Sequence, residues 1–238
     1  MSEDVKTRRR YESRRRQEQA AQTRSDILAA AGTLFRERGY AATSMPLIAS
    51  EAGIVVETIY RAFGSKAGLF TAVMEAVLAG GASRAEAPVE ERPAIRAVIN
   101  EPDPRRQVEL YVATQPGIHR RAGPLLRALL GAVATDPELK ALWDEMEAWR
   151  LEGQGRFVAM LAERGSLRSG VSFDEARDVV WTLCSLAVHD LLVVARGWTS
   201  EQYQEWLTTA VTRELLPVES TDRSCRPSRR GSDDRASR

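Results

Sequence analysis

Two cysteines and two histidines among 238 residues leave little material for a disulfide scaffold, a metal centre or nucleophilic catalysis. Cys184 stands in an apolar helical run and Cys225 in a polar tail, so a bond between them would need an unfavourable geometry. Neither has a C-x-x-C partner. His119 and His189 are far apart in the chain, and Asp190, adjacent to His189, is expected to point away from it because neighbours on a helix do not face each other. No nucleophile elbow, phosphate loop or metal-ligand spacing occurs, so the motifs point to no enzyme, no cofactor and no metal. Long apolar runs are also missing. The run LLVVA at 191–195 falls far short of the roughly 20 residues that span a bilayer, and the N-terminus has no apolar core of a secretory signal. A soluble cytoplasmic protein without a membrane partner is expected. Strand-like alternation and internal repeats are absent too, which leaves an all-α chain.

The net charge of +1 hides an uneven layout. Residues 1–24 hold eight Lys/Arg against four Asp/Glu, residues 217–238 hold six against four, and the stretch between them carries a net −5. Basic ends on an acidic body argue for a local anionic partner rather than an overall nucleic-acid coat. The first 18 residues (KTRRRYESRRRQEQ and its flanks) show no apolar period and read as a disordered or weakly helical arm. Its arginines, Arg8, Arg9, Arg10, Arg14, Arg15 and Arg16, fit two readings: a solvated tail, or an arm reaching along a minor groove.

From about Thr23 the pattern turns periodic. Ile27, Leu28, Ala31, Leu34 and Phe35 form the stripe of an amphipathic helix, and Gly39 closes it. Ser44 is an N-cap with Pro46 in the first turn. The unit MPLIASEAGIVVETIYRAF at 45–63 then places Ile48, Ala49 and Ala52 inward, Gly53 at a turn needing positive φ, and Ile54 and Ile59 inward again. Two short helices joined by a glycine turn make a helix-turn-helix whose second helix can enter a major groove; an ordinary αα corner has the same spacing. Ser65 caps the next helix, with Leu69, Phe70, Val73, Met74 and Val77 as its stripe. Further helices are expected near 91–100, 104–121, 124–134, 136–165, 173–196 and 199–216, with Asp136, Pro137, Ser172 and the capping box TSEQ at Thr199 as start signals. Beyond Pro217 the tail is low in apolar residues and reads as disordered.

The stretch from Arg24 to Val77, with its IL–AA–LF helix, GYAATS junction, IA–AG turn, TIY–F and SK–LF, resembles the DNA-binding domain of the TetR family of bacterial transcriptional regulators. The resemblance implies an all-α fold. A three-helix head (23–66, after an arm at 1–22) is joined through a linking fourth helix (67–80) to a helical ligand-binding and dimerisation body (81–217), with a tail at 218–238. It also implies a homodimeric repressor that leaves a palindromic double-stranded DNA operator when a small-molecule effector binds. An activator, or a helical adaptor using the helix-turn-helix for protein contact, are the competing readings. The carried-over DNA contacts are Thr43 and Ser44 to the backbone, Val55, Val56, Glu57 and Thr58 facing base edges with Tyr60 and Arg61 alongside, and Lys66 to a phosphate. Val56 suits a thymine methyl and Glu57 a cytosine amino group, although Glu57 also fits the positive end of its helix and Tyr60 can pack on Phe63. Many family members carry Ser or Thr where this chain has Val55, which cannot cap the short helix, at a cost of about 1 kcal/mol.

In the body, Tyr111, His119, Trp143, Met146, Trp149, Phe157, Met160 and Trp181 would line an apolar effector pocket or simply form core. The helices near 173–196 and 199–216 are apolar over much of their surface. Val180, Leu183, Leu191, Tyr203, Trp206 and Ala210 would meet their copies in a symmetric four-helix interface, or be buried within one subunit.

Overall fold

The computed structural model describes residues 3–85, 87–134 and 137–218, with the side chains of 3–13 and Ser83 left aside. The expected tail, Cys225, the start signal Asp136 and the side chains of Arg8, Arg9 and Arg10 lie outside this description. Among the described residues every regular element is helical: α1 (Glu3–Ala42), α2 (Met45–Glu51), α3 (Val56–Phe63), α4 (Lys66–Ala79), α5 (Ala82–Ala85), α6 (Pro93–Asn100), α7 (Pro104–Ala113), α8 (Gln115–Val133), α9 (Pro137–Glu163), α10 (Phe173–Leu183), α11 (Leu186–His189) and α12 (Ser200–Leu215). A 3-10 turn at Val89–Glu91 and a π-helical turn at Asp190–Ala195 complete the list. No single helix among them is long and apolar enough to cross a membrane.

The local signals explain most boundaries. Ser44 accepts from the Leu47 amide, Ser65 from Gly68, and Thr199 forms its capping box with Gln202. Ser172 makes a second box with Glu175. At Gly39 the backbone turns to φ 77° inside α1, as the closing glycine requires.

Of the two readings of the N-terminal arm, disordered or weakly helical, the described residues take the helical one: 3–22 form the first half of α1, since Arg, Glu, Gln and Ala are strong helix formers, and Arg14 pairs with Glu18 one turn away at 2.9 Å. Two expectations are corrected. The break expected near 122 falls instead at Thr114, and α8 runs on through Pro124. The helix expected over 173–196 breaks after Leu183, because Ser185 caps a new turn by accepting from the Val188 amide, and the two pieces bend by 42°.

Two cores result. One unites α1 to α4 with α8 and the start of α9, through Ile27, Phe35, Ile48, Ile59, Phe70 and Leu125. The other unites α6, α7, the end of α9, α10 and α12, through Val108, Phe157, Val180, Tyr203 and Leu207. Helix α8 touches both halves, packing on α1 and α4 and also on α7, α11 and α12.

Candidate nucleic-acid interface

α2 and α3 are short, so packing must hold them. Ile48 and Ile59 are fully buried and Ala49 nearly so, and the Ile54 amide closes the turn on the Ala49 carbonyl at 3.0 Å. Gly53 takes φ 66° there. With Ile59, Val56 and Phe63 turned to the core, helical geometry sends Glu57, Tyr60 and Arg61 outward, and all three are exposed. Val55 is 65% exposed and is the N-cap residue, with no side-chain cap bond. Thr58 is half-buried at the edge of this ridge.

The exit from α3 is fixed by two glycines. Gly64 adopts φ 76°. A Cβ at Gly68 would stand 2.3 Å from the Phe63 carbonyl oxygen, so only glycine lets α4 leave α3 at their 71° bend. Lys66, first residue of α4, holds its ammonium 4.2 Å over the Tyr40 ring, which itself packs on Phe35 and Phe70. This fixes Lys66 beside the N-terminus of α4, where backbone amides and the helix dipole favour an anion. Ser44 is exposed at the N-terminus of α2. On α1, Arg24 stacks 4.4 Å over Phe63, a proximity that sequence spacing gave no sign of.

Two carried-over contacts need correction. Thr43 is fully buried and its hydroxyl donates within the head, 2.8 Å from the Gly39 and 3.2 Å from the Leu34 carbonyl oxygen. It ties α1 to α2 and has no side chain to offer a phosphate. Val56 is half-buried against the head core, so the exposed apolar surface at the start of α3 belongs to Val55.

In the body the proposed pocket residues separate. Trp143 and Met146 pack on the head-side core, while Tyr111, Phe157 and Met160 belong to the other. Tyr111 stacks on Phe157 at 3.8 Å. Trp149 is 43% exposed. The dimer set divides as well. Val180 and Tyr203 are fully buried inside the subunit, whereas Leu191 is 64% exposed. Leu183, Trp206 and Ala210 line a groove of about 620 Å³ between α10 and α12.

The fold also assembles a buried polar cluster. His119 of α8 and His189 of α11 meet with ring centroids 4.6 Å apart, and Tyr203 of α12 stands edge-on to both at 6.0 and 5.2 Å. His189 Nδ1 lies 3.1 Å from Asp190 Oδ1, against the expectation that these neighbours point apart. The rule for a regular α-helix does not govern the pair, since the chain changes to π winding at Asp190. Arg127 Nη1 donates to the same Asp190 Oδ1 at 2.8 Å. Burial, aided by His189, pushes the His119 imidazole down to about 4, and hydrogen bonding to the Cys184 backbone offsets this in part. Burial likewise raises the Tyr203 hydroxyl and pushes the Cys184 thiol up to about 12. His119 Nδ1 and the Tyr203 hydroxyl are buried without a hydrogen-bond partner, as are Trp181 Nε1 and Gln154 Oε1. Buried polar groups are rarely left unpaired in a stable core. Among the described residues no group of three His, Cys, Asp or Glu side chains is placed to hold a metal ion.

Residues 27–73 match the sequence profile described as bacterial regulatory proteins, tetR family, a span from the core stripe of α1 into α4. No curated protein sequence matches the chain. Similar solved structures include NalD of Pseudomonas aeruginosa, described as the secondary repressor of the MexAB-OprM multidrug efflux pump (23% identity, TM-score 0.62, covering 83% of this chain and 98% of that one). A Rhodococcus sp. protein assigned to the TetR-family transcriptional regulators shares 14% identity with a TM-score of 0.61, over 81% of this chain and 98% of its own. A regulator from Saccharomonospora viridis, solved in complex with choline, shares 18% with a TM-score of 0.60, over 83% and 99%. At these identities the structural likeness shows the fold. Together with the profile match it bears out the resemblance to the TetR family and gives the chain a transcriptional-regulator fold.

Proposed function

We propose that this chain is a homodimeric transcriptional repressor that reads a palindromic double-stranded DNA operator and leaves it when a small molecule binds in the helical body. The observation that carries the reading is the outward ridge of Glu57, Tyr60 and Arg61 on a helix whose other side, at Ile59, is fully buried. Such a helix is held from behind and presented in front, as major-groove reading requires. Glu57 accepts from a cytosine amino group, Val55 covers a thymine methyl, and Arg61 and Tyr60 reach base edge or phosphate. Ser44 and Lys66 position the head on the backbone. Such a role puts the protein in the cytoplasm, with the DNA.

The dimer is supported by the apolar side chains Leu183 and Trp206 in the α10–α12 groove and by Leu191 and Val194, 64% and 63% exposed on the π turn; exposed apolar side chains mark candidate association surface. The effector site is supported by the unpaired His119 Nδ1 and Tyr203 hydroxyl, hydrogen-bonding groups in an aromatic setting of the kind that orients a small ligand. Release then runs along α8, which joins that cluster to α4 and changes the separation of the two heads. Repression as the sign of regulation follows NalD, and a small organic effector follows the choline-bound regulator.

Selection of bound sequences from a random duplex pool at near-physiological salt tests the reading. Enrichment of an inverted repeat with half-sites about 34–36 Å apart is expected. A pool that stays unenriched would refute it.

A further inference from the structure

The described side chains of the first half of α1 pack on nothing within the subunit. Residues 14–22 are exposed at every position, and burial begins only at Ile27 and Leu28. A helical stretch such as 14–22, polar all round and exposed, is marginal by itself. Its own support is slight: the Arg14–Glu18 pair, the Gln22–Asp26 hydrogen bond and the Thr23 hydroxyl donating to the Gln19 carbonyl. An acidic body is available within the same molecule, yet Arg14, Arg15 and Arg16 stay exposed and clear of it.

Its position and charge name another partner. Arg24, at its base, stacks on Phe63, the last residue of α3, so the helix springs from the edge of the unit that faces DNA. Residues 1–24 carry eight Lys/Arg against four Asp/Glu. Arg14, Arg15 and Arg16 are all exposed, and successive helical positions fan out by about 100°, so a flat anionic surface on that side meets at least one. A helix with side chains is about 10–12 Å across, while the minor groove of B-DNA is about 6 Å wide. The segment therefore cannot thread that groove as an extended arm would. From Glu3 to Arg24 it spans about 30 Å at 1.5 Å per residue, close to one turn of duplex.

Resting on the DNA-binding reading above, we propose that this basic helix lies across the phosphates flanking the sequence read by α3, outside the minor groove, and lengthens the protein–DNA contact by about one duplex turn on each side of the operator. The contact is electrostatic and adds affinity rather than sequence preference.

The test needs no operator. Binding of the full chain to a defined duplex of about four turns is measured against NaCl concentration for the wild type, for R14Q/R15Q/R16Q and for R14K/R15K/R16K. The Gln variant is expected to flatten the log–log slope by about 2–3, and the Lys variant to keep it. Far-UV circular dichroism serves as the fold check, and helix content is expected to hold or rise on adding duplex. A steep wild-type slope left unchanged in the Gln variant would overturn the flanking contact while leaving the α3 reading intact. A fall in helix content on DNA would show the segment unwinding into a groove and overturn the proposed geometry. A wild type without salt-dependent binding would remove both readings.

Discussion

Arg121 donates from Nε to the Val77 carbonyl oxygen at 3.0 Å, so a side chain of α8 grips the last turn of α4. Its Nη2 reaches the Leu78 carbonyl at 3.3 Å. A cation there meets both the open carbonyls and the negative end of the helix dipole. Burial, with Arg120 and Arg84 nearby, lowers the Arg121 pKa from its ordinary value. His119, of the buried cluster, is two residues back on the same helix.

The Arg121→Gln variant should therefore loosen the join between head and body without unfolding either. The expected loss is at most about 1.5–3 kcal/mol, the usual range for hydrogen bonds made by a charged group, read by urea denaturation. Amide exchange should quicken at Val77–Gly81 and stay unchanged in α12. Uniform quickening would show that Arg121 supports the whole subunit rather than this join.

Gly68→Ala should disturb the head specifically. Its Cβ would be 2.3 Å from the backbone oxygen of Phe63, which has no rotamer to move aside. The clash must open the α3–α4 angle, at a cost of about 1–3 kcal/mol. We expect a lower Tm and a larger loss of DNA affinity than Gly131→Ala, where nothing lies within 4 Å of the added carbon. Equal behaviour of the two variants would show that the angle tolerates relaxation.

Val55→Ser should stabilise. Val55 already has the extended backbone of an N-cap, φ −81° and ψ 143°, but no side-chain oxygen. A serine there accepts from an amide of the first turn and is expected to gain about 1 kcal/mol in chemical denaturation. No gain would mean that the first-turn amides are already satisfied by solvent.

The parts legible in the sequence are those fixed within a few residues. Ser44, Ser65, Ser172 and Thr199 act on amides three positions ahead, and Gly53 acts on its own turn, so their spacing states their role. What failed depends on what lies opposite. Val180 and Tyr203 sit on apolar helix faces, and sequence cannot say whether such a face meets the subunit's own core or a copy. Thr43 matched a motif position but turns its hydroxyl inward to carbonyls of α1. The convergence of His119 and His189 joins positions 70 residues apart, with no local signal. The basic start of α1 is a different case: its composition marks it as unable to build a core, which leaves a disordered or a weakly helical segment open, and the structure has the helix.

Leu191→Glu and Val194→Glu should separate the proposed dimer. Both side chains are about two-thirds exposed in the subunit, so the single chain should fold with little penalty, within about 0.5 kcal/mol. A charge placed in an apolar interface costs far more. Sedimentation is expected to report half the wild-type mass, together with lost preference for an inverted repeat. A variant that still sediments as the wild-type dimer would move the interface off this face.

His119 gives the subunit a pH dependence of known sign. Its ordinary value is 6.5, and burial together with His189 takes it to about 4 in the fold. Between those values the unfolded chain binds a proton that the folded one refuses, so this group's contribution is whole above about pH 6.5 and falls away as pH drops towards 4. The groups around it are His189, Asp190, Arg150 and the Cys184 backbone, with the Tyr203 ring against it. Glutamine at this position keeps a polar side chain but does not titrate. Subtracting the stability of His119→Gln from that of the wild type cancels the carboxylates common to both. The remainder should decline by up to about 3 kcal/mol between pH 7 and pH 4, as followed by urea denaturation. A difference that stays flat across that range would mean that the imidazole takes up its proton as readily in the fold as outside it, and that the cluster it shares with His189 and Tyr203 is open to water.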